Sequence, residues 1–263
     1  MRAYQFRQEA RSILKNLPGR IPLFLSAIIL SIFSISITVR ETLLELDGIE
    51  ISISASFFPL IISLLITFFT LSASFTMLDV IRHKRQEVGF SDSTSAFSGD
   101  LFGKLLWTIV LKGIYLFLWS LISIVGVVMA IFGLFLSIDL GQPTATFDMN
   151  LSTTSIWLII VGILIYFLGL AIVAIKQYSY SFAEYLVYDR VSTDSYNGAS
   201  AAISESKKLL KGYKWKLFCL DFSFIGWYLL TGLTMGLLYF YTLPYATTAR
   251  LLFYENRLAL EKG

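Results

Sequence analysis

Long apolar runs constrain this chain more than any other feature. Residues 105–138 hold one charge, Lys112, in 34 positions. Built as a helix at 1.5 Å per residue, that run is about 51 Å long, against roughly 30 Å of bilayer hydrocarbon. Backbone polar groups in hydrocarbon must be satisfied within the segment, which leaves helices as the economical solution. Five further runs have the same character, at about 21–39, 57–78, 155–175, 217–231 and 236–256. The 263 residues are 56% hydrophobic and 15% charged, where a soluble domain carries about a quarter charged. The expectation is an all-α polytopic membrane protein: one integral membrane domain over 1–263, a bundle of six transmembrane helices with amphipathic cytoplasmic interfacial helices.

Charge placement sets the threading. Nineteen of the 21 Lys and Arg fall in segments that six spans place on one side. These are the N-terminus, 79–104, 176–216 and the C-terminus. The exceptions are Arg40, in an acidic loop with Glu41, Glu45, Asp47 and Glu50, and Lys112. The positive-inside rule then puts both termini in the cytoplasm. A five-span alternative runs 217–240 as one helix and exports Arg250, Arg257 and Lys262.

Within this frame the chain shows several local signals. Phe6, Ala10, Ile13, Leu14 and Leu17 share a helical face among five basic residues, the pattern of a helix over 1–20 lying apolar face down on the leaflet. Its basic lead is long for a signal peptide, so a retained helix is expected. Ser63, Thr67, Thr70 and Ser74 line one face of the second span. Gly126 and Gly133 on the third span match Gly162 and Gly169 on the fourth at the same spacing of seven, so these two helices are suited to close packing. The intervening loop carries Asp139, Pro143 and Asp148. Tyr178, Tyr180, Phe182, Tyr185 and Tyr188 read as an aromatic band at the membrane edge. Thr193 or Asp194 is placed to cap a helix starting near Tyr196. Lys207, Lys211 and Lys214 share a face of that helix with Lys208 beside it, and Gly212 bends or ends it.

Few residues carry reactive chemistry. One cysteine, Cys219, and one histidine, His83, exclude a disulfide within the chain and a Cys-based metal cage, and remove most metalloenzyme chemistry. His83 sits among cations and reads as solvated. No phosphate loop, nucleophile elbow or metalloprotease histidine pair occurs. Hence no catalytic residue, metal site or cofactor is assigned. Asp221 is the sharpest residue, because a carboxylate inside a span is costly without a partner. Lys112 is the intramembrane candidate for that partner, with Lys214 and Lys216 as local competitors. The roles open to Asp221 are a structural ion pair, a proton- or cation-coupled site, and a water-exposed interfacial residue. Lys207, Lys208, Lys211, Lys214 and Lys216, beside Tyr213 and Trp215, are candidate contacts for anionic lipids of the cytoplasmic leaflet. Their alternative role is orientation alone. Nucleic acid is not expected as a partner; a membrane protein or a second copy of the chain is.

The C-terminal third carries a recognisable combination of motifs. Ser206-Lys-Lys-Leu-Leu-Lys-Gly212 is followed by Leu220-Asp-Phe-Ser-Phe-Ile-Gly-Trp227, Leu233-Thr-Met-Gly236, Leu243-Pro-Tyr245 and Phe253-Tyr254. Together with Tyr178 to Ala183, this resembles the bacterial family catalogued as domain of unknown function 975. Leu210 stands where that family usually has methionine. The resemblance implies a multi-pass plasma-membrane protein and implies no catalytic residue. Three functions stay open: a non-enzymatic scaffold or accessory factor in envelope or stress processes, a transporter subunit using Asp221 and Lys112, and a protein handling lipid headgroups.

Overall fold

The computed structural model describes residues 2–48, 57–137 and 152–262. Glu50, Asp139, Pro143 and Asp148 lie outside them, as does the side chain of Lys262. The described residues are all-helical, with no strand. Five helices are long and apolar enough to cross a membrane.

Helix α1 (Ala3–Asn16) ends before Gly19, whose positive φ of 78° turns the chain into α2 (Arg20–Leu46). The latter extends well past the expected end at Val39, because nothing between Pro22 and Gly48 interrupts it. Ser31, Ser36, Thr38 and Thr42 bond back to carbonyls four residues earlier. Arg40, Glu41 and Glu45 therefore lie on a helix and not in a loop. Helix α3 (Phe58–Ile81) begins with a proline in its first turn, where a missing N–H costs nothing. A 3-10 helix (Phe90–Phe97) then folds against it. Ser72 fixes this contact, accepting from the Ala96 amide at 2.9 Å.

The α4 helix (Gly99–Phe135) and α5 (Thr153–Ser179) form an antiparallel pair sealed by the glycine seam. A Cβ on Gly126 would stand 2.4 Å from the Tyr166 amide nitrogen, and one on Gly162 would stand 2.7 Å from that of Ala130. No side chain fits there. Outside the seam this pair is sheathed in exposed apolar residues such as Phe117, Val128, Leu164 and Phe167, a surface suited to lipid.

Helices α6 (Ala183–Ser192) and α7 (Ala199–Leu209) follow. The α7 helix starts after Gly198, at φ of 100°, so neither Thr193 nor Asp194 caps it. It also stops before Gly212, which separates Lys211 and Lys214 from its lysine face. The expected span 217–231 falls within Lys214–Leu233, the fifth of the helices long and apolar enough to cross; it is built of two pieces, α8 (Lys214–Phe222) and α9 (Ile225–Leu233), joined by a tight turn. The last helix, α10 (Tyr239–Lys262), runs through Pro244. It is not among the apolar helices long enough to cross. The break at Thr234–Leu238 likewise excludes one helix over 217–240.

The core is built on α10. Tyr245, Ala249, Leu251, Phe253 and Tyr254 are all at most 3% exposed. Helix α1 lays its apolar face on this core, with Phe6 5.3 Å from Phe253 between ring centroids. That face is therefore occupied by protein, where the sequence led us to expect lipid. The aromatic band is absorbed in the same way: Phe182 is fully buried against Phe253 and Tyr254. Tyr188 stacks on Phe75 at 4.3 Å.

Candidate functional site

The charged residues within the bundle define its chemistry. Asp221 does not meet Lys112. It sits on the last turn of α8 and faces Arg250 of α10, Oδ1 to Nε 3.4 Å. The hairpin dictates this pairing, because Asp221 and Arg250 are 14 and 15 residues from its tip at Met235. The phenol of Tyr178 is the next polar neighbour of the carboxylate. One turn along, Arg7 of α1 donates to the Ser223 carbonyl at 3.1 Å.

Lys112 finds its partner on α6. Its ammonium pairs with Glu184, whose side chain is 7% exposed. The long α4 helix brings Lys112 to the level of α6, close to the boundary that its length implied. A third group of charges is larger. Arg82, at the end of α3, grips Asp189 of α6 in a bidentate pair at 2.6 and 2.8 Å and donates to Glu255 of α10 at 2.6 Å. Tyr254 donates to the same Asp189 carboxylate at 2.7 Å. Tyr188 donates to Asp79 at 3.1 Å. Hydrogen bonding to Asp189 holds the Arg82 guanidinium above its usual value, so it stays charged at every accessible pH. Burial and the adjoining Asp79 push the Tyr188 phenol up to about 12, so it remains a donor.

Sequence reasoning missed Glu184, Asp189, Arg82 and Arg250 as partners. Arg250 was legible: in a hairpin folded at Gly232–Gly236, a cation that far beyond the turn faces Asp221. The α6 acids lie on a short helix whose docking against α3 and α4 leaves no local sequence signal.

Other expectations resolve individually. Ser63 is exposed, and its hydroxyl bonds the Leu60 carbonyl of its own helix. Thr67 and Ser74 do the same with Ser63 and Thr70, so these hydroxyls serve their own helix rather than lining a path. His83 is exposed, at a left-handed φ of 56°. Lys207, Lys208, Lys211 and Lys216 are exposed, and Lys216 lies over the Tyr213 ring at 5.1 Å. Arg257 lies 3.4 Å over the same ring and donates to the Leu209 carbonyl, which ties α10 to the turn between α7 and α8. Among the described residues no group of three metal-ligating side chains converges.

A family model described as a protein of unknown function, DUF975, matches residues 1–261. No curated protein and no solved structure matches the chain.

Proposed function

Since this chain belongs to the DUF975 family, whose description assigns no activity, we propose its function from its own geometry: a non-enzymatic scaffold or accessory protein of the bacterial plasma membrane. One observation carries this reading. The charges inside the bundle are spent on cross-links between helices. Lys112–Glu184 joins α4 to α6, Asp221–Arg250 joins α8 to α10, and Arg82 joins α3 to α6 and α10. A transport site needs a charge free to change partners, and each of these is held by an opposite charge on a neighbouring helix; the Asp221–Arg250 pair is the least enclosed, with 25% and 36% of its side chains exposed. Ser63, Thr67 and Ser74, three of the four hydroxyls on that face of α3, are bonded to their own helix, which weakens a second support for transport.

The same geometry supports a specific threading. Helices α2 to α5 cross the bilayer, and the α8–α9–α10 hairpin enters from the cytoplasmic side and turns back inside it. The tip glycine, Gly236, lies against Ile32, its Cβ position 3.3 Å from Ile32 Cγ1. Ile32 is near the middle of α2, about 18 Å along the helix from Arg20. The tip carries no charge and presents Leu233, Met235 and Leu237, 80%, 91% and 73% exposed. Its amides are satisfied locally: Gly236 bonds Thr231, Leu237 bonds Thr234, and Leu238 bonds the Thr234 hydroxyl. Irregular backbone inside hydrocarbon requires such satisfaction. Asp221 lies about 21 Å along the hairpin from the tip, which brings it near the level of Arg20 at the cytoplasmic boundary. A charged pair at that depth is inexpensive. Both termini are then cytoplasmic, as six spans would also have them.

Proton flux into proteoliposomes tests the scaffold reading. The protein is expected to give the leak of empty vesicles under either sign of pH gradient, with Asp221→Asn identical. A gradient-driven flux abolished by Asp221→Asn would contradict it and restore the transport reading.

A further inference from the structure

Between α4 and α7 the structure holds a groove of about 520 Å³, within the range of small-molecule sites. Its floor is Tyr180 and Ile203, 5% and 3% exposed. The α4 wall is Tyr115, Leu118 and Trp119. On the opposite rim Ser200, Ser204 and Lys207 fall on one face of α7.

The two ends differ in kind. Leu118 continues into the exposed apolar face of α4, through Leu121 and Val125. At the other end Lys207 is joined by two cations from different helices. Lys176 of α5 lies 4.0 Å over the Trp119 ring, and Lys214 of α8 is within Coulombic reach of both Lys176 and Lys207. None of the three is in an ion pair among the described residues. The nearby carboxylates are committed, Glu184 to Lys112 and Glu205 to Arg190. Three cations without a carboxylate partner, with Lys214 repelled by the other two, at the polar end of an apolar groove call for an anion with a hydrocarbon tail.

We propose that this groove binds an anionic glycerophospholipid of the cytoplasmic leaflet. The phosphate sits among Lys176, Lys207 and Lys214. The Ser200 and Ser204 hydroxyls donate to phosphate or glycerol oxygens. Trp119 marks the headgroup boundary, where tryptophan is favoured, and an acyl chain runs along Leu118 and Leu121. A zwitterionic headgroup would bring its own ammonium against the three lysines. Of the five lysines between 207 and 216, this assigns a lipid to two, Lys207 and Lys214, and leaves Lys208, Lys211 and Lys216 to orientation. The site goes beyond the scaffold reading and does not depend on it.

Native mass spectrometry of the full chain, released from detergent micelles titrated with phosphatidylglycerol or phosphatidylcholine, tests this. Phosphatidylglycerol is expected to stay bound where phosphatidylcholine does not. Lys207→Gln should weaken it about fivefold and Lys176→Gln with Lys207→Gln about 25-fold, at the usual strength of one lysine near an anionic surface. Lys207→Arg should restore binding, and Lys211→Gln should leave it unchanged. Should the double variant fail to fold, the single Lys207→Gln decides. Equal retention of the two lipids would overturn the proposal. So would an equal effect of Lys211→Gln, which means diffuse surface charge. Displacement of the lipid by excess inorganic phosphate would reassign the site to a free anion.

Discussion

Asp221 was conspicuous from its position in an apolar stretch, and the structure places it opposite Arg250. Removing either partner leaves a charge facing a packed helix, whereas removing both leaves two neutral side chains. Asp221→Asn and Arg250→Met should therefore each lower the melting temperature in detergent. The double variant should recover part of the loss, with a coupling of about 1–2 kcal/mol. The combination of Asp221→Asn with Lys112→Met should be additive, because Lys112 belongs to Glu184. Coupling between Asp221 and Lys112 would mean that the two pairs have been misassigned. The need for a partner was readable at this scale. Which cation supplied it was readable only through the hairpin turn at Gly232–Gly236, which sets Arg250 and not Lys112 opposite Asp221.

Helices were the most legible elements, and one interface was legible in detail. The matched glycines of α4 and α5 occur in the sequence as two spacings of seven, and in the structure each leaves space that the facing helix fills, with backbone at Gly126 and Gly162 and with side-chain and backbone atoms at Gly133 and Gly169. Gly162→Ala places a Cβ 2.7 Å from backbone, which cannot yield as a side-chain end could. It should destabilise by about 1–3 kcal/mol. Gly113→Ala, with nothing within 4 Å, should be neutral or slightly stabilising, since alanine favours helix by up to about 1 kcal/mol. Thermal unfolding of the two variants side by side checks both; equal effects would place the seam elsewhere. Amphipathic elements were less legible. The apolar face of α1 has the same pattern whether lipid or protein covers it, and here Phe253 and its neighbours on α10 do so. The aromatic band from Tyr178 to Tyr188 misled for the same reason. Amphipathic rings suit a membrane edge and a packed core alike, and sequence alone does not supply the partner surface.

For the molecule as a whole, hydropathy separates membrane from water but does not separate full crossing from the partial entry proposed above. The stretches at 217–231 and 236–256 are apolar enough to suggest two spans. Yet α10 carries Arg250, Glu255 and Arg257, the first two in ion pairs and the third buried, and the tip of its hairpin reaches only the middle of α2. Charge counting could not separate these threadings, because both return the C-terminus to the cytoplasm. The separation lies at the tip. In a Cys219→Ser background, a cysteine at Met235 is to be probed on intact cells with a membrane-impermeant maleimide. Asp47→Cys, at the outer end of α2, serves as the external control. A hairpin turning inside the bilayer predicts that Met235→Cys stays unlabelled until the membrane is dissolved, while Asp47→Cys reacts from outside. Labelling of Met235→Cys from outside at the rate of Asp47→Cys would contradict this and restore six full spans.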